Sequence, residues 1–457
     1  MSSVGALEVR RAGEREKMTQ VNRAPKIVLA TFGSHGDLHP FLAIALALKQ
    51  RGATPVIAAA EIYRSKVEAE HIGFERMRPD LDAVATRLGM KQQAIARAAA
   101  QRPEFIVQDI VLPHLHEAYE DAMYAMRDAD MAITHSAAYG AKLAAEKRGL
   151  PHIGVALQPM ILLSAYDPPI VANMPRLAPW IYKLGPTATR VFFALGKLKA
   201  RRWSRPIEAM RRELGLPPSS RHPLFEGQFT SEGAIALFSP LFGPPQPDHP
   251  PRTSIVGFPF YDSDAGGPPT LAPTLEQFLA AGPAPLVFTQ GTSAVQDAEH
   301  FIRESLAAVR LLSARAVLVL DAERAQQWAT HASESVLITG YAPYSLLFPR
   351  AHINIHHGGV GTTAQALRAG RPQLIAPYLV DQPDNAARVV RLGAGRTLEL
   401  KHYVAARIAR ELRALAADSY ARHAMEVGKQ ISTEDGASAA ADIILDVLHR
   451  SKRQRQT

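Results

Sequence analysis

Apolar residues fall along this chain in short runs separated by helix-length amphipathic stretches. Lys26–Thr31, Pro55–Ala59, Met131–Thr134, Ile153–Leu157 and Ala234–Phe238 are runs of strand length. Between them lie segments such as Leu38–Gln50, whose apolar positions recur at helical spacing and stop at Arg51-Gly52. The second half repeats the pattern. "APLVFT" runs into Gly291, a helical stretch follows, and then come Ala316–Leu320, Val336–Ile338, Ile353–Ile355, Gln373–Ala376 and Thr397–Leu400. Short strands alternating with helices predict parallel sheets covered on both faces. The fold class is therefore α/β, with two doubly wound Rossmann-like domains facing a cleft. In such sheets ligands bind beyond the carboxyl ends of the strands.

The stretch between the halves, "SPLFGPPQPDHPPRTSIVGFPFYDSDAGGPPTLAP", is rich in proline and glycine and reads as extended. It sets the expected boundaries: an N-terminal extension over 1–24, a first domain over 25–239, a linker over 240–254 and a second domain over 255–430. A C-terminal helix over 431–448 and a basic tail over 449–457 complete the chain.

Composition narrows the class. The chain has 457 residues, 47% hydrophobic and 21% charged, which suits two to three globular domains. It has no cysteine, which excludes disulfides, cysteine metal sites and a catalytic thiol. No apolar run approaches a membrane span of about 18 residues. Residues 1–23 lack the apolar core of a signal peptide, so a cytoplasmic protein is expected. Met18 just precedes the first strand, which marks the first seventeen residues as a dispensable extension or a misplaced start. The net charge is +9. Residues 1–26 and 446–457 each contribute +3, from six Lys/Arg against three Glu and from four against one Asp, so the body keeps +3. This is not the broad basic face of a nucleic-acid binder. "LGKLKARRWSRPIEAMRRELG", Leu195–Gly215, interleaves basic and apolar residues and is read as a solvated helix face or, more sharply, as a peripheral contact at the inner membrane face.

The most specific chemistry lies in "HINIHHGGVGTTAQALRAGRPQLIAPYLVDQPDNAARV", His352–Val389. A strand ends in His356-His357. Gly358, Gly359 and Gly361 allow a tight turn and close approach to a ligand, and Thr362-Thr363 open a helix. A glycine turn into a helix N-terminus is an anion site. After the next strand, Asp381 and Gln382 return to the same sheet edge, where they could grip hydroxyls. Phosphate on one side and hydroxyls on the other point to a nucleotide sugar.

The same residues carry a family resemblance. His357, Gly358, Gly361, Thr362, Thr363, Gly370, Pro372, Asp381, Gln382, Asn385 and Ala386 resemble the donor-binding signature of family-one glycosyltransferases, which have the glycosyltransferase-B fold. The likeness runs over residues 25–448 and includes "FGSHGDLHPFLAIALALKQRG", "GFPFYD", "PLVFTQGTS" and "YAPYSLLFPR". It is nearest in feel to the rhamnolipid rhamnosyltransferase and bacterial sterol glucosyltransferase branch, with antibiotic-modifying enzymes further off. The resemblance implies an inverting hexosyltransferase that uses a UDP- or dTDP-linked sugar, glucose or rhamnose, and a lipophilic small-molecule acceptor. It implies no cofactor and no metal beyond that co-substrate. His357 would meet the α-phosphate, and Gly359, Gly361 and Thr362 the phosphate turn. Asp381 and Gln382 would hold the sugar, Gly291 and Thr292 would lie near the diphosphate, and Ala342 would read the base. The segment Asp435–Leu448 would pack back on the first domain.

Transfer to a hydroxyl needs its proton removed. Many relatives use a histidine of the first loop. The aligned position, three before Pro40, is Asp37, which is also an expected helix N-cap. His35 and His39 are rival bases, and His135 stands where histidine-base members place an orienting Asp. "DSD" at 262–264 and "DAD" at 128–130 resemble a metal motif of another transferase fold, but their settings in a linker and before a strand speak against metal. Two other classes stay open: a dinucleotide oxidoreductase, against which the missing Gly-x-Gly-x-x-Gly counts, and a non-catalytic nucleotide-sugar-binding subunit.

Overall fold

A computed structural model describes residues 23–102, 104–170, 174, 177–230, 232–263, 266–289, 298–378 and 380–456. Among these residues thirteen strands form two all-parallel sheets. The first contains β1 Lys26–Ala30, β2 Thr54–Ala59, β3 Gly73–Arg76, β4 Met131–His135, β5 His152–Ala156, β6 Ala234–Ala236 and β7 Thr253–Ile255. Its order is β3-β2-β1-β4-β5-β6-β7. The second contains β8 Leu286–Thr289, β9 Ala316–Val319, β10 Val336–Thr339, β11 Ile353–His356, β12 Gln373–Ile375 and β13 Gly395–Thr397. Its order is β10-β9-β8-β11-β12-β13. Each sheet reverses its winding once, between β1 and β4 and between β8 and β11. These are the switch points where a crevice opens above the strand ends.

The central strands are buried on both faces, as near-continuous apolar runs require. Ile27, Leu29 and Ile133 pack with Phe41 and Leu42 of helix α1, His35–Gln50. Phe288, Leu318 and Ile355 do the same beneath Ile302 and Leu412. A third cluster joins the halves: Phe238, Phe242 and Phe258 pack against Leu367, Ile375, Val389 and Ile431.

Several boundaries differ from expectation. β7 lies within and just beyond the expected linker, because the prolines of 244–251 form a loop before a last edge strand. β3 and β7 were not foreseen. An edge strand is paired on one side only, and both are half-exposed, so they read as loops. β13 sits earlier than the predicted 397–400. The expected basic tail belongs to a helix, Gly436–Gln456. That helix lays Ala440, Ala441, Ile444, Val447 and Leu448 into the core of the first domain. Lys452 reaches Asp130 at 3.2 Å, and Arg23 reaches the same carboxylate at 3.2 Å.

Candidate active site

Both switch points open into one cleft of about 2840 Å³ between the domains. Asp37, His35, His39 and His135 line it from the first domain, and Ala342, His357, Gly359, Gly361, Thr362, Asp381 and Gln382 from the second. Gly291 and Thr292 lie outside the described residues. The remaining predicted residues thus converge although they come from loops far apart in sequence.

The loop after β1 is closed on itself. The N-cap of α1 is Ser34, not Asp37, and the helix begins at His35 rather than Leu38. Asp37 occupies the third helical position of a capping box, taking the Ser34 amide N–H at 2.7 Å and the Ser34 hydroxyl at 3.1 Å on Oδ2. Gly33 is required here. Its φ is +129°, and a Cβ would stand 2.2 Å from Asp37 Oδ2. Oδ1 is left toward the cleft, with His135 Nε2 at 3.6 Å. His135 Nδ1 accepts the Ala137 amide N–H at 3.2 Å. In the neutral ring the proton is then on Nε2, directed at Asp37.

The rival histidines are placed differently. Burial, reinforced by Lys66 and His35, pushes His39 down to about 3, so it is neutral. Its ring lies 5.0 Å from Tyr261, and the His35 ring packs 5.1 Å from Tyr63. Burial also pushes Tyr63 up to about 12, helped by the Asp37 charge.

The loop after β11 is built in the opposite way. Helix α2, Val360–Arg368, starts at Gly359 with no side chain capping it. Its first N–H groups therefore face the cleft without a partner from a cap. A Cβ on Gly361 would meet nothing within 4 Å, whereas one on Gly358, whose φ is +90°, would strike Ile375 at 2.7 Å. His356 is structural: Nε2 contacts Gln373 Oε1 at 2.9 Å and Nδ1 accepts the Gly358 amide N–H at 3.0 Å. His357 is the one on the cleft, and its buried Nδ1 has no hydrogen-bond partner. Burial, with His356 beside it, drives His357 down to about 3, which leaves a neutral imidazole.

Asp381 precedes helix α3, Gln382–Arg391, and accepts from Asn385 Nδ2 at 2.7 Å. Burial raises its carboxyl to about 7, with smaller contributions from Asp37 and Asp384. Asp37 and Asp381 line the same cleft. Gln382 Oε1 accepts the Tyr378 amide N–H at 2.7 Å, which fixes the turn after β12. Asn385 also donates to Gly358 O at 2.9 Å. The Asp-Gln-x-x-Asn signature therefore braces the glycine turn after β11 as well as facing the cleft.

Sequence reasoning missed other cleft residues. Asp321, Arg324 and Arg303 line the second-domain wall. Asp321 lies two residues past the end of β9, a position where residues meet ligands in these sheets, and that signal was readable. Arg388 was not. It is 2% exposed, and its guanidinium bridges Asp384 at 2.8 Å and Asp167 of the first domain at 2.5 Å. The discounted acids have structural duties: Asp262 accepts the Ser345 amide N–H, Asp130 the Lys26 amide N–H. Asp264 lies outside the described residues.

Two parallel Rossmann-like domains facing one cleft are the glycosyltransferase-B arrangement, and comparisons with known proteins agree. Residues 303–444 match the family described as Erythromycin biosynthesis protein CIII-like, C-terminal domain. The chain is 28% identical over 435 residues to O-mycaminosyltylonolide 6-deoxyallosyltransferase of Streptomyces fradiae, covering 92% of this chain and 96% of that one. It is 27% identical over 446 residues to vancomycin aglycone glucosyltransferase of Amycolatopsis orientalis, covering 93% and 98%. The crystal structure of a calicheamicin glycosyltransferase superposes with a TM-score of 0.68 at 17% identity, over 94% of this chain and 99% of that one. The chain is a glycosyltransferase with the glycosyltransferase-B fold. These matches do not single out the rhamnolipid and sterol branch from the antibiotic-modifying enzymes.

Proposed function

We propose that the protein transfers a hexosyl or deoxyhexosyl group, glucose or rhamnose, from a UDP- or dTDP-linked donor to a hydroxyl of a lipophilic small molecule. One observation carries this reading: a carboxylate and an open helix N-terminus with a neutral histidine stand on opposite walls of one cleft, each at a switch point. The glucosyl and 6-deoxyallosyl names of the relatives span the same sugar classes.

The chemistry follows from the two walls. Helix α2 and His357 hold the diphosphate by N–H donation, with Gly361 and Thr362 at the turn. Asp381 and Gln382 hold the sugar, Ala342 receives the base with backbone groups, and Gly291-Thr292 complete the phosphate side. Asp37 Oδ1 takes the acceptor proton as the acceptor oxygen attacks the anomeric carbon from the face opposite the diphosphate. The C–O bond to the diphosphate breaks, and the departing charge develops against the donors of α2. His135 serves Asp37 by orientation. Its Nδ1 lone pair already accepts Ala137 N–H, so it is not the group that receives the proton. No metal is assigned a part.

The test is incubation with UDP-glucose or dTDP-rhamnose and a panel of lipophilic alcohols, with and without EDTA, read by mass spectrometry. Transfer that survives EDTA supports the whole reading. Transfer abolished by EDTA and restored by a divalent cation overturns the metal-free part. Absence of any glycoside with either donor overturns the donor assignment.

A further inference from the structure

The segment 177–205 forms a helical hairpin on the first domain, Leu177–Tyr182 and Pro186–Ala200, joined at Gly185. Its inner side is conventional: Tyr182 lies 6.0 Å from Phe192 and 6.3 Å from Phe193, and Thr189, Phe193 and Ala200 are buried. Its outer side is not. Val191, Leu195 and Leu198 follow at i, i+4 and i+7, so they share one face. That face is turned away from Phe193 and Ala200, and the three are 58%, 62% and 62% exposed. Trp180 of the first helix and Leu184 of the connecting loop are likewise exposed, at 61% and 60%.

The charge of the same segment is one-sided. From Leu177 to Arg205 there are seven Lys/Arg and no Asp or Glu. Lys197 is spent inward on Glu226, and Arg190 donates to the Tyr166 hydroxyl. Lys183, Lys199, Arg201, Arg202 and Arg205 are exposed. The sequence reading put the membrane contact at 195–215, but the second part of that stretch packs inward. Ile207, Met210 and Arg211 are buried, and Arg211 pairs with Glu146 at 2.7 Å.

We infer that the outer face of this hairpin is a docking surface for an anionic lipid bilayer. A solvated face would not turn leucines outward. A second copy of the chain would bring like charges together. Nucleic acid would use the cations and leave the apolar stripe idle. An anionic headgroup layer over acyl chains meets both features, with the stripe at the acyl boundary and the cations among the phosphates. The position suits delivery of a lipophilic acceptor, since Lys197 stands over the ring of Phe225, a cleft-lining residue. Only that last use rests on the transferase reading.

The experiment is flotation of the full chain with vesicles of equal phosphatidylglycerol and phosphatidylcholine, or of phosphatidylcholine alone, without donor. Trp180 fluorescence is read alongside, with Trp180→Phe as its control. Binding at least about tenfold stronger to the anionic vesicles is expected, with a blue shift that Trp180→Phe removes. Leu195→Ser with Leu198→Ser, and separately Lys199→Glu with Arg202→Glu, should each abolish it while thermal melting stays unchanged. Three results would overturn the inference. They are no wild-type binding to anionic vesicles at low salt, binding unaltered by both pairs, and a dimer in the ultracentrifuge that these substitutions dissolve. Donor titration is independent of all three, so loss of the transferase reading would be seen separately.

Discussion

The loops after β1 and β11 are the same unit, a strand, a glycine turn and a helix, yet they finish the helix N-terminus in opposite ways. In the first, Ser34 and Asp37 cap each other and the turn is occupied by its own side chains. In the second, Gly359 leads into α2 with no side-chain cap, and the turn is braced from behind by His356, Gln373 and Asn385. A capped helix end has spent its donors and can only present a side chain. An uncapped one, held rigid by neighbours, keeps its donors for an anion. One fold element thus presents a carboxylate in one domain and open N–H donors in the other.

Substitutions can break this contrast in order of effect. Asp37→Asn removes the proton acceptor but keeps an oxygen for the Ser34 amide. Transfer should fall by about 10²- to 10⁴-fold in single-turnover assays, with nucleoside-diphosphate affinity unchanged by calorimetry. Gly361→Val puts a side chain into the open space at the first turn of α2. It should weaken diphosphate binding by about tenfold, roughly 1.4 kcal/mol, without lowering the melting temperature. The matching change Gly36→Ala, where a Cβ would sit at an ordinary 3.4 Å from Ser34 Oγ, should leave binding untouched. Ser34→Ala removes the cap of α1 and should lower stability by about 1 kcal/mol in urea melts, while diphosphate binding is retained.

A pH slope in stability is expected as well. Burial raises Asp381 from 3.8 to about 7, so the folded chain binds its proton more tightly than the unfolded chain. This contribution is complete below about pH 4 and is lost as pH rises toward 7. Melting temperature should therefore drop across that window more in the wild type than in Asp381→Asn. Parallel curves would mean that cleft water relieves the burial.

Much of the fold was legible because central strands are buried on both faces. Val28, Leu29 and Ile133 are fully buried, and such runs read as central strands. β3 and β7 escaped because edges tolerate polar residues such as Glu75, Arg76 and Ser254. The donor signature was legible since its parts share one strand–turn–helix–strand unit. The cap was nearly legible, for a serine three residues before an acid is a helix-start signal, but the reading favoured Asp37 itself. The Arg388 bridge was not legible. Asp384 and Arg388 are an i,i+4 pair within α3, but Asp167 reaches Arg388 only after the two domains have folded and docked, and nothing local marks it as the partner.

The most direct measurement is calorimetric titration of the wild type and His357→Ala with UDP, dTDP, UDP-glucose, dTDP-rhamnose and NAD, without added metal. The open end of α2 predicts that one nucleoside diphosphate and its sugar bind, and that His357→Ala weakens both by about 10- to 100-fold, a charge-assisted hydrogen bond's worth. Equal affinity in the two proteins, or binding of NAD alone, would contradict it.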